Sequence, residues 1–345
     1  MIPVFDGHND FLQRAAAQGP HVWTHGDGLG HLDLPRAQAG GFVGGFFAIW
    51  VPSPASDDDA AHMALMQNPP YAVPLPDPVD HADALPPAFA QAAALMAMER
   101  TGTVDISRNI NDLRATIDAG RIAAIMHMEG VEAIRDPDAL HVWHAMGLRS
   151  LGPVWSRPTA FGHGVPFAFP ASPDTGPGLT DLGRALIREC NALRIMIDLS
   201  HLNEAGFNDV ATLSDAPLVA SHSAVHAICP STRNLTDRQL QVIADSGGLV
   251  GLNFATSFLR ADGQRMPFPG FDPMLRHLDH MLAILGEDGV AVGSDFDGAL
   301  MPADLADVSA LPALIAAMQA HGYGDALIRK IACDNWIGLL ARTWG

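Results

Sequence analysis

Short apolar runs recur along the chain, and segments with helix-like spacing separate them. The runs that we predict to be strands are residues 2–5, 42–51, 121–128, 148–155, 194–198, 217–220, 249–254 and 290–293. Most are apolar at consecutive positions, as expected for strands whose two faces are both buried. The intervening segments carry helix start and stop signals, for example at residues 180–193 and 236–246. This alternation predicts a parallel sheet covered by helices.

The strand–helix unit recurs about eight times, which favours a closed (β/α)8 TIM barrel over an open, doubly wound sheet. No glycine-rich GxGxxG motif follows the first strand, and this weakens the alternative of a dinucleotide-binding fold. Two proline-rich segments, at about residues 52–87 and 156–178, interrupt the alternation of strands and helices. Their apolar residues do not recur at helix or strand spacing over any long stretch. We predict one barrel domain over residues 1–345, with these segments as lid-like excursions at the C-terminal face of the barrel.

Metal-binding or titratable side chains follow the apolar runs at the ends of five predicted strands. In order along the chain they are His8 and Asp10, Glu129, His201, His222 and Asp295. Barrels of this kind carry their active sites at the C-terminal ends of the strands. Each residue taken alone also fits a turn, a helix cap or a satisfied core position. Because the pattern recurs at five strand ends, a shared metal site is the interpretation that the sequence favours.

Three histidines and two carboxylates exceed the three protein ligands that one catalytic zinc ion usually takes. They suit two ions about 3.5–4 Å apart that share one carboxylate. Such a pair acidifies a bridging water to hydroxide near neutral pH and polarises a carbonyl or phosphoryl oxygen. Asp295 is then expected to shuttle protons or to act as an additional ligand. His127 lies two residues before Glu129 on the same strand face and is expected deeper in the barrel.

Composition narrows the classes of partner and compartment. The chain has 48% hydrophobic and 17% charged residues, and its formal net charge is −18, from 38 acidic against 20 basic residues. That charge argues against nucleic acid and anionic membranes as partners. The three cysteines, Cys190, Cys229 and Cys333, form no CxxC motif, which favours thiols in a reducing compartment. With no signal peptide and no apolar stretch of membrane-spanning length, we expect a cytoplasmic protein; a homodimer is compatible with the sequence.

Several short motifs occur in a fixed order along nearly the whole chain. They are His8-Asn9-Asp10, Met128-Glu129-Gly130, Asp198-Leu199-Ser200-His201, Ser221-His222-Ser223, Arg233-Asn234 and Gly293-Ser294-Asp295-Phe296-Asp297-Gly298. In combination they resemble the membrane dipeptidase (renal dipeptidase) family of binuclear zinc dipeptidases, which belongs to the amidohydrolase-type barrels. The similarity is greatest to the bacterial, unanchored members of that family.

The resemblance implies a dipeptidase with two Zn²⁺ ions and Glu129 as the bridging ligand. The implied ligands are His8, Asp10 and Glu129 for one ion, and Glu129, His201 and His222 for the other. Arg233 matches the arginine that binds the terminal carboxylate of the dipeptide, a task suited to a planar guanidinium. Asp295 matches the acid/base that takes a proton from the attacking water and delivers it to the leaving amine. Members of the family accept a D-residue at the C-terminal position, so L-Xaa-D-Xaa dipeptides are expected substrates.

One position departs from the family pattern. Many relatives carry a Thr-His pair at the end of the strand predicted at residues 148–155, and that histidine stabilises the developing oxyanion. This chain has Val154-Trp155 there. The oxyanion donor is then open between the indole N–H of Trp155, the imidazole of His163 and a metal ion alone. The alternative functions are hydrolysis of N-acyl amino acids, cyclic amides or lactones, and a metal-binding barrel without catalysis.

Overall fold

A parallel ring of strands forms the centre of the protein. The computed structural model describes residues 1–54 and 59–345, so residues 55–58 of the predicted first excursion lie outside the described residues. The strands are β1 Val4–Asn9, β2 Phe42–Trp50, β3 Tyr71–Ala72, β4 Val104–Ile106, β5 Ile122–Glu129, β6 Leu148–Gly152, β7 Ala168–Phe169, β8 Met196–Ile197, β9 Val219–Ser223, β10 Leu249–Leu252 and β11 Val290–Val292.

Helices follow most strands of the ring and cover its outside. They are α1 Phe11–Gln18, α2 His21–His25, α3 Leu34–Gly40, α4 Asp59–Leu65, α5 His81–Arg100, α6 Ile110–Asp118, α7 Pro137–Met146, α8 Asp181–Leu193, α9 Glu204–Leu213, α10 Asp237–Asp245, α11 Thr256–Leu259, α12 Asp272–Leu285, α13 Leu311–His321, α14 Asp325–Arg329 and α15 Asn335–Trp344. Short 3₁₀ segments lie at Ala303–Leu305 and Val308–Ala310, and a π-helical segment at Lys330–Asp334. Over the described ranges, none of these helices combines the length and the apolar character needed to cross a bilayer.

Eight strands of the described part of the chain pair edge to edge in parallel. One sheet holds β1, β2, β5, β6 and β8 in that order, and a second holds β9, β10 and β11. Two isolated parallel bridges join the sheets into a ring, Asp198 with Val219 and Asn9 with Phe296. The predicted (β/α)8 barrel is therefore confirmed. The short strand β4, which we did not predict, pairs with the first half of β5.

Buried aspartates reinforce the two places where the ring is closed by a single bridge. Asp6 accepts hydrogen bonds from the backbone N–H of Ser294 at 2.6 Å and from its hydroxyl at 2.7 Å. Asp198 accepts from the backbone N–H of Ser221 at 2.7 Å and from its hydroxyl at 2.5 Å. Hydrogen bonds to a carboxylate are stronger than those between neutral groups. These side chains thus hold together strands that share little backbone pairing.

The sequence pattern predicts a single helix over residues 325–342, but the structure divides this C-terminal segment. It is α14, the π-helical segment and α15 in succession. The wider π turn shifts the helical phase, as such insertions do. As a result Asn335 and Trp336 both face β11, where the Asn335 amide donates to the carbonyl of Val290 at 2.8 Å and the Trp336 indole to that of Val292 at 2.8 Å.

Trp336 closes the lower end of the barrel. Its side chain is fully buried and packs among interior residues of the strands, including Phe5 and Phe46. A Cβ atom at Gly7 would lie 2.5 Å from the Trp336 ring and 2.4 Å from the carbonyl oxygen of Ser221. Gly7 is therefore required by the close approach of the indole and a neighbouring strand. The remaining open end of the barrel is the one at which the strands terminate.

Helix α5 begins at His81, well before the start at residue 89 that the sequence predicts. The prolines at 86–87 marked this region as irregular, because proline removes a backbone donor and usually breaks a helix. Tertiary contacts offset that loss. The buried side chain of Gln91 makes two hydrogen bonds to the end of β2. It accepts from the Trp50 N–H at 3.0 Å and donates to the Trp50 carbonyl at 2.7 Å.

The structure also differs from the sequence prediction in the bounds of two strands. β6 ends at Gly152 and does not reach Trp155, because Pro153 has no N–H to donate to the ladder. Trp155 therefore lies in the loop that follows the strand. β9 runs over Val219–Ser223, later than predicted, and so includes His222 as a strand residue.

The two predicted excursions contact each other above the open end of the barrel. β3, from the first, pairs in antiparallel fashion with β7, from the second. The loop after α11 joins them, since the N–H of Arg265 donates to the carbonyl of Met66 at 2.8 Å and the Tyr71 hydroxyl to that of Gly263 at 3.0 Å. Three separate segments thus form one cover over the strand ends.

A buried ion pair anchors the start of the second excursion. Arg157 is fully buried and donates to the carboxylate of Glu132 at 2.7 Å. It also donates to the carbonyl of Val51 at 2.7 Å and to the hydroxyl of Ser53 at 2.9 Å. The guanidinium therefore connects three segments at the barrel mouth.

We expect Arg157→Met to lower the free energy of unfolding by about 3–5 kcal/mol, because it leaves the buried Glu132 carboxylate without its partner. Urea unfolding followed by circular dichroism measures the change. Arg135→Met is the matched control, since Arg135 is exposed and pairs with the adjacent Asp136 at 2.8 Å. Exposed pairs contribute only about 0–1 kcal/mol. Equal losses in the two variants would contradict an anchoring role for Arg157.

Candidate metal centre

The residues singled out from the strand ends converge at the open end of the barrel. His8 lies in β1, Glu129 ends β5 and His222 lies in β9. Asp10, His201 and Asp295 lie just beyond β1, β8 and β11. The five predicted ligands are all buried, the most exposed being His201 at 5%. The parallel arrangement brings all of these groups to one edge because every strand of the ring ends there.

Glu129 lies at the centre of the group. Its Oε1 atom is 3.0 Å from Nε2 of His201, 3.2 Å from Nε2 of His222 and 3.7 Å from Nε2 of His8. The Oδ2 atom of Asp10 is 3.5 Å from the same nitrogen of His8. Potential ligand atoms form two triads that share Glu129, one with His8 and Asp10 and one with His201 and His222.

These residues fit divalent metal ions. Glu129 Oε1 and His8 Nε2 are buried yet have no hydrogen-bond partner among the described residues. Two ligand atoms of a tetrahedral zinc ion, each about 2.0–2.1 Å from the metal, lie about 3.3–3.4 Å apart. The observed separations of 3.0–3.7 Å span that value. Imidazole nitrogens mixed with carboxylate oxygens are also the donor set that zinc accepts.

The electrostatics of the cluster favour a cation. Burial lowers the pKa of His201 and of His222 well below 6.5, so both imidazoles are neutral and keep a lone pair. At His8, burial also lowers the pKa, but the charges of Glu129 and Asp10 outweigh it and raise the pKa to about 10. The carboxylates that favour a proton on His8 favour any cation at the same place. A bound metal ion would satisfy this demand.

Serine hydroxyls orient two of the imidazoles. Ser156 Oγ is 2.8 Å from Nδ1 of His201, and Ser221 Oγ is 2.7 Å from Nδ1 of His222. Because the Ser221 hydroxyl gives its proton to Asp198, its oxygen accepts a hydrogen bond from Nδ1 of His222. The lone pair of that ring is then on Nε2, which faces Glu129. Such second partners fix both the tautomer and the direction of a ligating histidine.

The cluster includes residues in a left-handed backbone conformation. His201 has φ +69° and Asp295 has φ +62°, although neither is glycine. Each such residue costs about 1–3 kcal/mol and persists only where its surroundings hold it in place. The carbonyl of His201 accepts from the N–H of Val165 at 2.9 Å, and the N–H of Asp295 donates to the carbonyl of His8 at 3.0 Å. Strain is thus concentrated where these side chains turn toward the cluster.

Asp295 is set apart by its partner and its ionisation. Its Oδ2 atom accepts a hydrogen bond from the amide of Asn253 at 3.0 Å. Burial raises the pKa of Asp295 to about 6, against the opposing charge of His8. A carboxyl group with a pKa near 6 exchanges protons readily at neutral pH. The geometry therefore permits either the proton-carrying role or the ligand role that the sequence left open.

A cavity of about 330 Å³ opens onto the cluster. This volume is at the lower end of the range of about 300–1,000 Å³ for small-molecule sites. Glu129, Asp10, His201 and Asp295 lie at its polar end. The remaining lining residues come largely from the cover and the neighbouring loops: Gln13, Trp50, Met63, Met66, Trp155, Phe167, Ala255, Ser257, Phe258, Arg265, Asp297, Gly298, Ala299 and Leu300. A small ligand that presents a polar group to the cluster would fit.

The other predicted residues lie at different depths. Arg233 is 3% exposed and is not among the residues that line the cavity, although its guanidinium is 5.9 Å from the ring of Phe258, which does line it. It donates to the hydroxyl of Ser223 and to the carbonyl of His222, both at 2.9 Å, while its Nε has no partner among the described residues. Trp155 lines the cavity, but His163 does not.

His127 lies one layer below the cluster, as we predicted. It is fully buried, its Nδ1 is 2.8 Å from the hydroxyl of Ser150, and its ring is 5.4 Å from that of His8. Burial lowers its pKa to about 3, so it is neutral. It supports the site from beneath.

Several residues of the site escaped the sequence analysis. Asn253 directly follows strand β10, and Glu129 similarly ends β5. The search for charged residues at strand ends would have found Asn253 if amide side chains had been included. Ser156, Trp50 and Arg265 have no comparable signal. They lie in loops or at a strand edge, and only the folded chain brings them to the cavity.

Comparisons with known proteins relate the whole chain to metal-dependent peptidases. A family model described as membrane dipeptidase (peptidase family M19) matches residues 1–343. A metallopeptidase from Rhodobacter sphaeroides, solved with a phosphinate mimic of the dipeptide L-Ala-D-Ala, is 60% identical, covers 99% of both chains and has a TM-score of 0.97. A solved metallopeptidase described as dipeptidase AC is 59% identical, with a TM-score of 0.96 over 100% of this chain and 99% of that chain. An amidohydrolase from Burkholderia multivorans with bound zinc, 14% identical over 99% of both chains with a TM-score of 0.51, shares the fold alone.

We expect Ser156→Ala to weaken binding of a divalent metal about 10–100-fold, because His201 loses the hydroxyl that directs its Nε2 atom toward Glu129. Competition between the protein and a chromogenic zinc chelator measures the affinity. Ser172→Ala is the control, since Ser172 lies on the same excursion but is exposed. An affinity equal to that of the control would show that His201 is oriented by something else.

Proposed function

Because the chain belongs to the membrane dipeptidase family, we propose that it hydrolyses dipeptides at a pair of zinc ions. Membership makes the chain a metal-dependent peptide-bond hydrolase and replaces the alternative of a barrel without catalysis. The observation that carries the zinc-pair proposal is the position of Glu129, shared by two triads of potential ligands. One triad contains His8 and Asp10, and the other contains His201 and His222. When bound, such a pair supplies a nucleophile from water at neutral pH and polarises a carbonyl oxygen.

We assign proton transfer to Asp295. Its carboxyl group lies in the cavity and close to His8 and His222, within the same cluster of potential ligand atoms. The amide of Asn253 holds one oxygen, and the other oxygen does not take part in that bond. With a pKa raised to about 6 by burial, the group can accept a proton and return it to the leaving amine.

We assign the terminal carboxylate of the dipeptide to Arg233. Its guanidinium keeps donors free, including the buried Nε, after its bonds to Ser223 and His222. A guanidinium with unused donors in a buried position is well suited to a carboxylate. The phosphinate mimic of L-Ala-D-Ala bound by the relative from Rhodobacter sphaeroides supports L-Xaa-D-Xaa dipeptides as substrates.

The oxyanion donor follows from the cavity lining. His163 lies outside the cavity, with Nδ1 3.2 Å from the carbonyl oxygen of Gly178. Trp155 lies in the cavity, and its ring is 6.0 Å from that of His201. We therefore propose that the indole N–H of Trp155 or the ions themselves stabilise the oxyanion, in place of the histidine found in many relatives.

The sequence and the structure also support proposals on the domain organisation, the cellular location and the ligand class. We propose one barrel domain over residues 1–345, supported by the family match over residues 1–343. The three cysteines are free and buried, which supports a reducing, cytoplasmic location. The formal net charge of −18 supports a dipeptide rather than nucleic acid as the ligand.

After zinc reconstitution, we expect about two zinc ions per chain and turnover of L-Ala-D-Ala at a rate well above that of N-acetyl-D-alanine or simple lactones. Metal analysis measures the zinc content, a ninhydrin assay measures the released amino acids, and titration of released acid measures opening of the lactones. Asp295→Asn should retain its zinc and lose about 10²–10⁴-fold in kcat. A variant that loses zinc instead would assign Asp295 to metal binding, and full activity with one ion would contradict the paired site.

We expect Arg233→Met to raise KM for L-Ala-D-Ala about 10–100-fold, because a hydrogen bond to a charged group contributes about 1.5–3 kcal/mol. The matched comparison is L-Ala-D-alaninamide, which lacks the carboxylate. The ratio of kcat/KM for acid and amide should fall toward 1 in the variant. Because the ratio is internal to one enzyme preparation, partial unfolding does not alter it. An unchanged ratio would reject Arg233 as the carboxylate anchor.

A further inference from the structure

One cationic side chain lies among the residues that line the cavity. The charged residues of the lining are Asp10, Glu129, Asp295, Asp297 and Arg265. The acids each have a use: three belong to the metal cluster, and Asp297 is paired with Arg14 at 3.0 Å. Arg265 has no role in the cluster. A cationic side chain in the wall of a small cavity is well placed to bind an anionic group of a ligand.

The backbone around Arg265 is firmly held. Its N–H donates to the carbonyl of Met66 at 2.8 Å, which ties it to the first excursion. The carbonyl of Gly263, two residues earlier, accepts a hydrogen bond from the Tyr71 hydroxyl at 3.0 Å. The N–H of Gln264 donates to Asp262 at 3.1 Å. Arg265 therefore lines the cavity from a backbone that hydrogen bonds hold in place.

Among the side chains that the structure describes, Arg265 has no carboxylate partner. The nearest acid along the chain, Asp262, is already held by Arg260 through two bonds of 2.8 and 2.6 Å. Across residues 1–54 and 60–345, no salt bridge or side-chain hydrogen bond involves the Arg265 guanidinium. Burial partly desolvates the guanidinium and lowers its pKa below the usual value of arginine. A partly desolvated guanidinium without partners is stabilised by an anionic ligand.

Arg265 is separated from the proposed anchor of the terminal carboxylate. Arg233 lies over the ring of Phe258 and donates to the carbonyl of His222, whereas Arg265 lies on the loop after α11 and lines the cavity. Two guanidinium groups in different places suit a ligand with two carboxylates. A dipeptide has a second carboxylate when one of its residues is aspartate or glutamate.

We infer that Arg265 is a specificity-determining residue that binds the carboxylate of an acidic side chain, so that dipeptides containing aspartate or glutamate are the preferred substrates. This inference rests on the proposed function. It deepens that function by naming the chemical class of the substrate. The bond is a charge-assisted, bidentate pair between guanidinium and carboxylate.

The test compares acidic dipeptides with their isosteric amides. The substrates are L-Ala-D-Asp against L-Ala-D-Asn, L-Ala-D-Glu against L-Ala-D-Gln, and L-Asp-D-Ala against L-Asn-D-Ala, with L-Ala-D-Ala as the reference. We expect kcat/KM to favour the acid by about 10–100-fold in at least one pair. Arg265→Gln should bring that ratio to about 1, and Arg265→Glu should reverse selectivity toward L-Ala-D-Lys. Arg276→Gln, an exposed arginine of α12, is the control and should leave the ratio unchanged.

Each other outcome overturns the inference in a recognisable way. If the dipeptides are hydrolysed but acids and amides react equally, the proposed function stands and Arg265 has no part in selectivity. If Arg265→Gln slows every dipeptide by the same factor, Arg265 binds the terminal carboxylate common to all of them. If the zinc-loaded enzyme hydrolyses none of the dipeptides, the proposed function itself is wrong and the inference falls with it.

Discussion

A buried carboxylate surrounded by imidazole nitrogens is the contact on which the rest of the structure depends. Glu129 is 4% exposed, and nitrogen atoms of three histidines lie within 3.7 Å of one of its oxygens. An ionised carboxylate taken out of water is costly unless compensating charge is close. The compensating groups come from strands far apart in the sequence, so the carboxylate is tolerated only if the ring closes. Closure of the barrel and assembly of the site are thus the same requirement.

Backbone pairing around the ring is sparsest between the strands that position the site. Single bridges join β1 to the end of β11 and β8 to β9, and these strands carry or precede His8, Asp295, His201 and His222. At each joint a buried aspartate, Asp6 or Asp198, supplies the hydrogen bonds that short strands cannot. Asp198 also accepts from the hydroxyl that orients His222, so the same carboxylate stabilises the joint and sets the tautomer of a potential ligand.

Sequence reasoning succeeded where a local pattern and a global rule coincide. Apolar runs that end in a titratable residue become meaningful once a parallel ring is assumed, because all strand ends then meet. That reasoning located Glu129 and the residues around it, and would have located Asn253 with a wider set of side chains. It failed where tertiary contacts override local preference: α5 continues through Pro86–Pro87, and the last helix contains a π segment so that Trp336 can reach β11. Arg265 shows the further limit, since its role depends on which neighbours are already paired, and that is known only from the folded chain.

The potential ligands reach the cluster by two routes with different energetic consequences. His8, Glu129 and His222 belong to strands, and none of them has a positive φ. His201 and Asp295 lie beyond β8 and β11, the latter only three residues long, and turn inward through left-handed conformations. Extending those strands would relieve the strain but would carry the side chains past the cluster. The chain therefore gives up about 1–3 kcal/mol at each of the two positions, and the surrounding hydrogen bonds must supply it. Stability is lower at the site than it would be in a barrel selected for stability alone, as expected where function fixes the backbone.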